Sequence, residues 1–280
     1  MYKIIIDSCG ELTDDMKRSG HYMNVPLTLE VDGHEIIDDE TFDQADFLKR
    51  VAASEKGPKS ACPSPTAYME AYSGEEEHVY AVTLSAQLSG SYNSAVLAKD
   101  LFEEENEDSD KKIHVFDSKS ASIGETLIGL KIAEAEEAGN SYEKVIEIVN
   151  AYIEEQHTFF VLESLETLRK NGRLSNLKAM IANTLNIKPI MGSTEIGSIQ
   201  QLGQTRGMKN AVNKMAEYMM AVTKNMENKI LAISHCNAPE RALALKDKLL
   251  SLGSFGDIII LDTRGVSSMY ASDGGVIMVI

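Results

Sequence analysis

Short apolar runs that alternate with helix-like segments are the feature that most constrains the fold of this chain. In the first half, the runs KIIID (3–7), HVYAVTL (78–84) and KIHVFD (112–117) have the length and β-branched content of buried strands. A helical pattern follows each run, as in AVLAKDLFEEE (95–105) after the second one. Strands that alternate with helices are typical of a parallel sheet. The sequence therefore predicts an α/β fold with a parallel, three-layer N-terminal domain.

A second group of strand-like runs begins after a helix that Ser141 is expected to cap and that ends near His157. The runs are TFFVLE (158–163), IKPIM (187–191), a turn-rich strand pair across 194–203, KILAISH (229–235), DIIIL (257–261) and GVIMVI (275–280). They predict a second α/β domain with a mixed sheet. We place the domains at 1–157 and 158–280, and because no long linker joins them, we expect them to pack closely and leave a cleft between them.

Local signals predict several element boundaries. Thr13 and Asp43 stand where N-caps are expected, each directly before a helical pattern. The segment 22–31, the Asp32-Gly33 turn and HEII (34–37) together predict a β-hairpin.

The charge balance excludes several classes of partner. The chain has 43 acidic and 27 basic side chains, a formal net charge of −16. Nucleic-acid binding draws most of its affinity from Lys and Arg on phosphates, so a nucleic-acid partner is not expected. An anionic membrane surface is disfavoured for the same reason, and no apolar run has the length to span a bilayer.

Cysteine and histidine usage argues against a metal site. Cys9, Cys62 and Cys236 are odd in number and have no CxxC spacing, which indicates reduced thiols in the cytoplasm. The six histidines include no HExxH or other paired metal spacing. The glycine pattern also lacks GxGxxG, GxxxxGK[ST] and GxSxG, which removes the common nucleotide loops and the hydrolase elbow.

Serine-rich loops are the strongest candidates for a binding site. LSGSYNSA (88–95) joins a predicted strand to a predicted helix, where free N–H groups and the helix dipole favour an anion. Ser89 and Ser91 can donate hydrogen bonds and Gly90 permits close approach, although either serine could be a simple N-cap. The proline-stiffened loop KSACPSP (59–65) adds Ser60 and Ser64, unless Ser64-Pro65 merely starts a helix. With no lysine in LSGSYNSA, a carboxylate fits better than a polyphosphate.

Taken together, these segments resemble the DegV family of bacterial fatty-acid-binding proteins, the acyl-carrying subunits of fatty acid kinase. The match runs along the whole chain in order. It comprises IIIDSCGEL (4–12), the Ser-Pro loop (60–65), LSGSYNSA (88–95), Asp117-Ser118, LETLRKNGRLS (165–175), LNIKPI (185–190) and Arg206 ahead of a long helix.

The resemblance implies that a long-chain fatty acid lies in an apolar tunnel with its carboxylate at the domain interface. Carried over to this chain, the carboxylate contacts are Ser60, Ser89 and the Gly90 backbone N–H. Arg173 and Arg206 fall in arginine segments near the mouth of the site, where they would dock a kinase, balance charge or form only surface salt bridges.

One departure from the family pattern concerns the C-terminal loop. The family carries a His-x-Gly-Pro-Gly run there, whereas this chain has MYASDGG (269–275), with Tyr270 at the histidine position and Asp273 at the proline. A phenol donates a hydrogen bond but supplies no positive charge.

The resulting hypothesis is a cytoplasmic binding protein, not itself an enzyme, that presents a fatty acid to a separate ATP-dependent fatty acid kinase and needs no cofactor or metal. Two alternatives stay open. One is a phosphotransfer or hydrolytic enzyme with a fold like that of the dihydroxyacetone-kinase substrate domain, and the other is a lipid-sensing regulator.

Overall fold

The computed structural model describes residues 1–174 and 186–280. Two residues of the segments that carry the family resemblance, Ser175 of 165–175 and Leu185 of 185–190, lie outside the described residues. The strands are β1 (Tyr2–Asp7), β2 (Tyr22–Val25), β3 (Thr28–Val31), β4 (His34–Ile37), β5 (Lys59–Ala61), β6 (His78–Thr83), β7 (Lys112–Asp117), β8 (Thr158–Val161), β9 (Ile187–Ser193), β10 (Ile199–Arg206), β11 (Ile230–His235), β12 (Asp257–Asp262) and β13 (Val276–Val279).

Ten α-helices lie in the described residues, and none of them is long and apolar enough to cross a membrane. They are α1 (Asp14–Ser19), α2 (Gln44–Ala53), α3 (Pro65–Tyr72), α4 (Ser91–Glu105), α5 (Ile123–Glu137), α6 (Tyr142–Glu155), α7 (Glu166–Lys170), α8 (Met208–Val222), α9 (Pro239–Leu250) and α10 (Gly265–Ala271). The predicted caps are confirmed: Thr13, Asp43 and Ser141 each accept a hydrogen bond from a backbone N–H in the first turn of α1, α2 and α6.

The first sheet has the order β2-β1-β6-β7, and all of its pairs are parallel. Its central strands are buried on both faces, and Ile4, Ile5 and Ile6 have no exposed surface. Helices α5 and α6 cover one face, and α3 and α4 cover the other. The predicted parallel three-layer architecture is confirmed.

The second sheet has the order β10-β9-β8-β13-β11-β12 and is mixed, as predicted. Only β11 and β12 are parallel neighbours, and the other pairs are antiparallel. Helices α8 and α9 pack on one face around Met215, Met219 and Leu245. The opposite face turns toward the first half of the chain.

A small third sheet, of order β4-β3-β5, corrects the predicted hairpin. Strands β3 and β4 do form a hairpin across Asp32-Gly33, but 22–25 is a separate strand that pairs parallel with β1. Pro26 follows β2 directly, and a residue without an N–H cannot continue a ladder. Strand β5 pairs with β3 and places Ser60 opposite Leu29, so the Ser-Pro loop begins as a strand.

Helix α5 lies between the two large sheets. Its residues Ile128 and Ile132 pack with β1 and β6, whereas Ile123 and Leu127 pack with Ala232 of β11 and Val279 of β13. The boundary at 157/158 coincides with the start of β8 and stays a prediction.

Candidate ligand-binding site

A cavity of about 830 Å³, measured out to the solvent at its mouth, lies between the two halves of the molecule. Apolar side chains from both halves form most of its wall: Leu84, Leu88, Phe160, Leu162, Val266 and Ile277. Some hydroxyl groups on the wall are engaged by the protein: Ser120 Oγ lies 2.6 Å from Thr158 Oγ1, and Ser267 Oγ donates to the Cys9 carbonyl at 2.8 Å. The cavity therefore suits a long apolar ligand.

Polar groups from four segments of the chain line one end of the cavity. Ser60 of β5 and Tyr270 of α10 face each other with their hydroxyl oxygens 3.4 Å apart. The Arg173 guanidinium lies over the Tyr270 ring, 5.8 Å from its centroid. Arg173 Nε also donates to the Leu88 carbonyl at 3.1 Å, which brings it beside Ser89 on the cavity wall. The structure thus brings Ser60, Ser89, Arg173 and Tyr270 together.

The Ser89 turn is ordered by its own backbone. The N–H groups of Leu88 and Ser89 both donate to the Ser85 carbonyl, at 2.9 and 3.0 Å. Gly90 then occupies the N-cap position of α4 with no side-chain cap. Ser89 Oγ instead accepts from the Ser91 N–H at 3.2 Å and lies 3.0 Å from Ser91 Oγ, so the hydroxyl of Ser91 supports that of Ser89.

Three of the predicted site residues do not line the cavity. Ser91 is fully buried behind Ser89, and Gly90 lies against Cys62 at the surface. Arg206 is exposed at the end of β10. Their predicted roles as carboxylate contacts or in kinase docking stay predictions. Asp273, at the position of the family proline, is exposed and accepts a hydrogen bond from Asn237 Nδ2 at 3.0 Å.

The electrostatics at the polar end favour an anion. Burial raises the pKa of Tyr270 above its ordinary value, against the lowering effects of the Ser60 hydrogen bond and the Arg173 charge, so the phenol is a neutral donor at pH 7. No carboxylate among the described residues lies within salt-bridge distance of Arg173. Lys119, the other cation on the wall, pairs with Glu154 at 2.5 Å.

A buried acidic cluster behind the cavity was not predicted from the sequence. Ligand atoms of Asp7, Cys9 and Glu125 lie within 4.8 Å of one another, and all three residues are buried. Burial raises the pKa of Asp7 to about 6 and raises those of Cys9 and Glu125, with the nearby Asp7 charge adding to the shift of Glu125. Such groups could reach one metal ion, but Asp7 already accepts the N–H groups of Cys9 and Leu84 at 3.0 and 2.9 Å. The raised pKa of Glu125 favours its neutral, protonated form, which relieves the repulsion from Asp7 without a metal.

The tip of the β9–β10 hairpin closes over the cavity. Gly197 has a φ of +83° and its carbonyl accepts a hydrogen bond from Ser85 Oγ at 2.9 Å. A Cβ at this position would lie 2.8 Å from the Lys119 Cα, so only glycine fits. Gly197 and Ser198 line the cavity from this tip.

These features define a class: a two-domain α/β protein that encloses an apolar cavity with a cationic, hydroxyl-lined end. The family model described as "Uncharacterised protein, DegV family" matches residues 1–279, and the chain belongs to this family. A DegV domain-containing protein of Streptococcus pneumoniae is 35% identical over 257 residues, which cover 92% of this chain and 90% of that protein.

Solved structures similar to this chain include proteins refined with fatty acids. A DegV family protein from Ruminococcus gnavus, refined with vaccenic acid, has a TM-score of 0.96 and 51% identity, and covers 100% of this chain and 99% of its own. The Streptococcus pneumoniae Fatty Acid Kinase (Fak) B3 protein, loaded with linoleic acid, has a TM-score of 0.88 and 32% identity, with 100% and 98% covered. Both span the full two-domain fold.

Proposed function

We propose that this protein binds a long-chain fatty acid, with the acyl chain in the apolar cavity and the carboxylate at the end formed by Ser60, Ser89, Arg173 and Tyr270. The observation that carries the proposal is the separation of chemistry within one cavity. Apolar side chains line most of the wall, while three hydroxyls and an arginine meet at one end. The fatty acids named in two similar structures fit the same division.

The polar end can hold a carboxylate without a histidine. The Ser60 and Tyr270 hydroxyls are close enough to donate to the same anion, and Ser89 lines the same cavity. Arg173 supplies the positive charge that a phenol lacks, and a charge-assisted hydrogen bond contributes about twice as much as a neutral one. We therefore propose that Arg173 balances the carboxylate charge in this chain.

The acyl chain supplies most of the binding free energy. Each buried methylene contributes about 0.8 kcal/mol, so about fourteen methylenes give about 11 kcal/mol before ordering costs. The hydroxyls and Arg173 then orient the ligand with its carboxylate toward the mouth. This orientation is the one needed for a partner enzyme to reach the carboxylate.

We further propose that the protein is a binding subunit, not an enzyme, and presents the carboxylate to an ATP-dependent fatty acid kinase. The similarity to the Fatty Acid Kinase (Fak) B3 protein supports this partner. Arg206 is exposed and available for docking. The rival enzyme of the dihydroxyacetone-kinase type captures its substrate through a histidine, and no histidine is found among the described residues that line the cavity. The cytoplasmic location stays a prediction.

Solvent extraction of the denatured protein, followed by mass spectrometry, tests the ligand class. We expect a bound long-chain fatty acid, and the delipidated protein should take up oleate again. Protein that releases no fatty acid and ignores added oleate would contradict the proposal. Release of product from a phosphoryl or ester substrate by the isolated chain would favour the enzyme.

The carboxylate seat, by which we mean the end of the cavity formed by Ser60, Ser89, Arg173 and Tyr270, is tested separately with a matched pair of serine variants. Ser89→Ala should weaken oleate binding about tenfold while leaving the methyl ester unaffected. Ser64 is the control, because its Oγ caps α3 by accepting from Ala67 N at 3.2 Å and does not line the cavity. Ser64→Ala should lower stability and leave the oleate affinity unchanged.

A further inference from the structure

The helix that carries Tyr270 is held at its first turn by a side chain from the other half of the molecule. Asp38 Oδ1 accepts a hydrogen bond from the Gly265 N–H and Oδ2 accepts one from the Val266 N–H, both at 2.8 Å. Ser8 Oγ also donates to Asp38 Oδ2 at 2.9 Å. Helix α10 has no capping side chain of its own at Arg264. Asp38 therefore performs that task from a position 227 residues away in the chain.

The contact between Asp38 and α10 is closely packed. Asp38 is 2% exposed, and its backbone N–H donates to the Leu27 carbonyl at 3.0 Å. A Cβ at position 265 would collide with the Asp38 carboxyl, so position 265 accepts only glycine. The carboxyl thus sets how closely the start of α10 approaches the first half.

Neighbouring contacts hold the same junction. Gln44 Nε2 donates to the Thr263 carbonyl at 2.7 Å and to Asp262 Oδ1 at 2.9 Å. The Arg264 guanidinium donates to the Asp39 carbonyl. Hydrogen bonds with residues 38–44 therefore hold the chain at each position from 262 to 266, where it enters α10.

Tyr270 lies five residues after Gly265, about 7.5 Å along the helix axis. A shift or rotation at the start of so short a helix is passed directly to the Tyr270 hydroxyl. Ser60, its neighbour at 3.4 Å, belongs to the small sheet of the first half. The distance between the two hydroxyls therefore depends on how α10 is seated against that half.

We infer that Asp38 is a positioning residue for the carboxylate seat: by clamping the first turn of α10, it sets the placement of Tyr270 against Ser60. This inference rests on the proposed fatty-acid function. A cap that only stabilised α10 would leave the ligand preference unchanged when it is lost. Loss of the Asp38 contact should instead alter recognition of the head group more than retention of the acyl chain.

The test is a double-mutant cycle read out as the preference for oleate over methyl oleate. Tyr270→Phe should reduce that preference about tenfold, since one hydrogen bond to a charged group is lost. Asp38→Ala should reduce it by a similar factor, and the double variant should lose no more than either single variant. Asp38→Asn keeps one acceptor for a helix N–H and should be intermediate, which also covers the case in which Asp38→Ala fails to fold.

Ser141→Ala is the matched control, because Ser141 caps α6 by accepting from Lys144 N at 3.3 Å, and α6 packs against α5 and β7. It should lower the melting temperature without changing the preference. An Asp38 variant that lowers the melting temperature but keeps the wild-type preference would overturn the inference, and so would additive losses in the double variant. Wild-type protein that binds no oleate would instead refute the proposed function. Hydrogen exchange in residues 265–271 would then still test the clamp, since Asp38→Ala must accelerate it and Ser141→Ala must not.

Discussion

The hydroxyl oxygens of Ser60 and Tyr270 lie 3.4 Å apart although 210 residues separate them in the chain. One belongs to the small sheet beside the first domain, and the other to a short helix of the second half. Their meeting gives the cavity a polar end that draws on both halves.

Replacing Tyr270 by the histidine of the family pattern should make binding pH-dependent. The phenol of wild-type protein stays neutral between pH 6 and 8, because burial raises its pKa. A histidine titrates in this range and carries a positive charge at pH 6. The oleate affinity of Tyr270→His relative to wild type should therefore be at least about threefold higher at pH 6 than at pH 8. The ratio cancels the titration of the fatty acid, and a constant ratio would show that residue 270 does not contact the carboxylate.

Removing the charge of Arg173 should weaken recognition of the ionised head group. Arg173→Gln is expected to reduce oleate affinity at least about tenfold and to leave methyl oleate nearly unchanged. Arg169→Gln is the control in the same segment, since Arg169 is exposed and pairs with Glu166 at 2.5 Å. Calorimetric titration of wild type and the two variants with each of the two ligands measures the difference. Equal losses for both ligands would mean that Arg173 only supports the wall.

Glu11 should make the protein less stable as pH rises. Burial raises its pKa from 4.5 to about 8 in the folded state, opposed mainly by the hydrogen bond from Ser122. Between pH 4.5 and 8 the folded chain keeps a proton that the unfolded chain has released, so the free energy of unfolding falls across this window.

Glu11→Gln removes this titration. Compared with wild type, its fall in unfolding free energy between pH 5 and 8.5 should be smaller by at least about 1 kcal/mol. Urea unfolding at several pH values measures it. Glu134→Gln, at an exposed carboxylate paired with Lys131 at 3.0 Å, should follow the wild-type curve. Coincident curves for wild type and Glu11→Gln would contradict the prediction.

A methyl group at the hairpin tip should disturb closure of the cavity. Gly197→Ala adds a Cβ that meets the Lys119 backbone at a left-handed position with φ of +83°. Gly139→Ala is the matched control, because Gly139 has a φ of +75° and nothing within 4 Å of the added atom. The control should cost about 1–2 kcal/mol of stability from the backbone conformation alone. Gly197→Ala should cost more and also weaken oleate binding, and equal effects would exclude a closing role for the tip.

Much of the fold could be predicted because its signals are local. Buried strands such as 78–83 and caps such as Thr13 and Ser141 depend on neighbouring residues, and the structure confirms them. Helix α10 could not be predicted in this way, because GVSSMYA has no cap before it and begins with a glycine. Its cap is Asp38, which only the folded chain brings near.

The residues of the candidate site also differ in whether a local sequence signal points to them. Ser60 and Ser89 stand in loops whose composition points to a ligand, so residue types alone made them candidates. Arg173 and Tyr270 became candidates only through the family resemblance, because no local pattern links them to those loops. Glu125 carried no signal at all, since a carboxylate in the first turn of a helix is ordinary until its burial against Asp7 is seen.

Helix α5 has a consequence for how ligand can enter and leave. Because α5 contributes side chains to the packing of both large sheets, separating the two halves would expose a hydrophobic core that they share. We therefore expect a bound molecule to exchange by displacement of surface segments, such as the hairpin tip that Ser85 holds by a hydrogen bond to the Gly197 carbonyl. Opening is therefore expected at a small surface segment and not at a hinge between the two halves. Cutting the chain at residue 157 would leave neither half with a complete hydrophobic core.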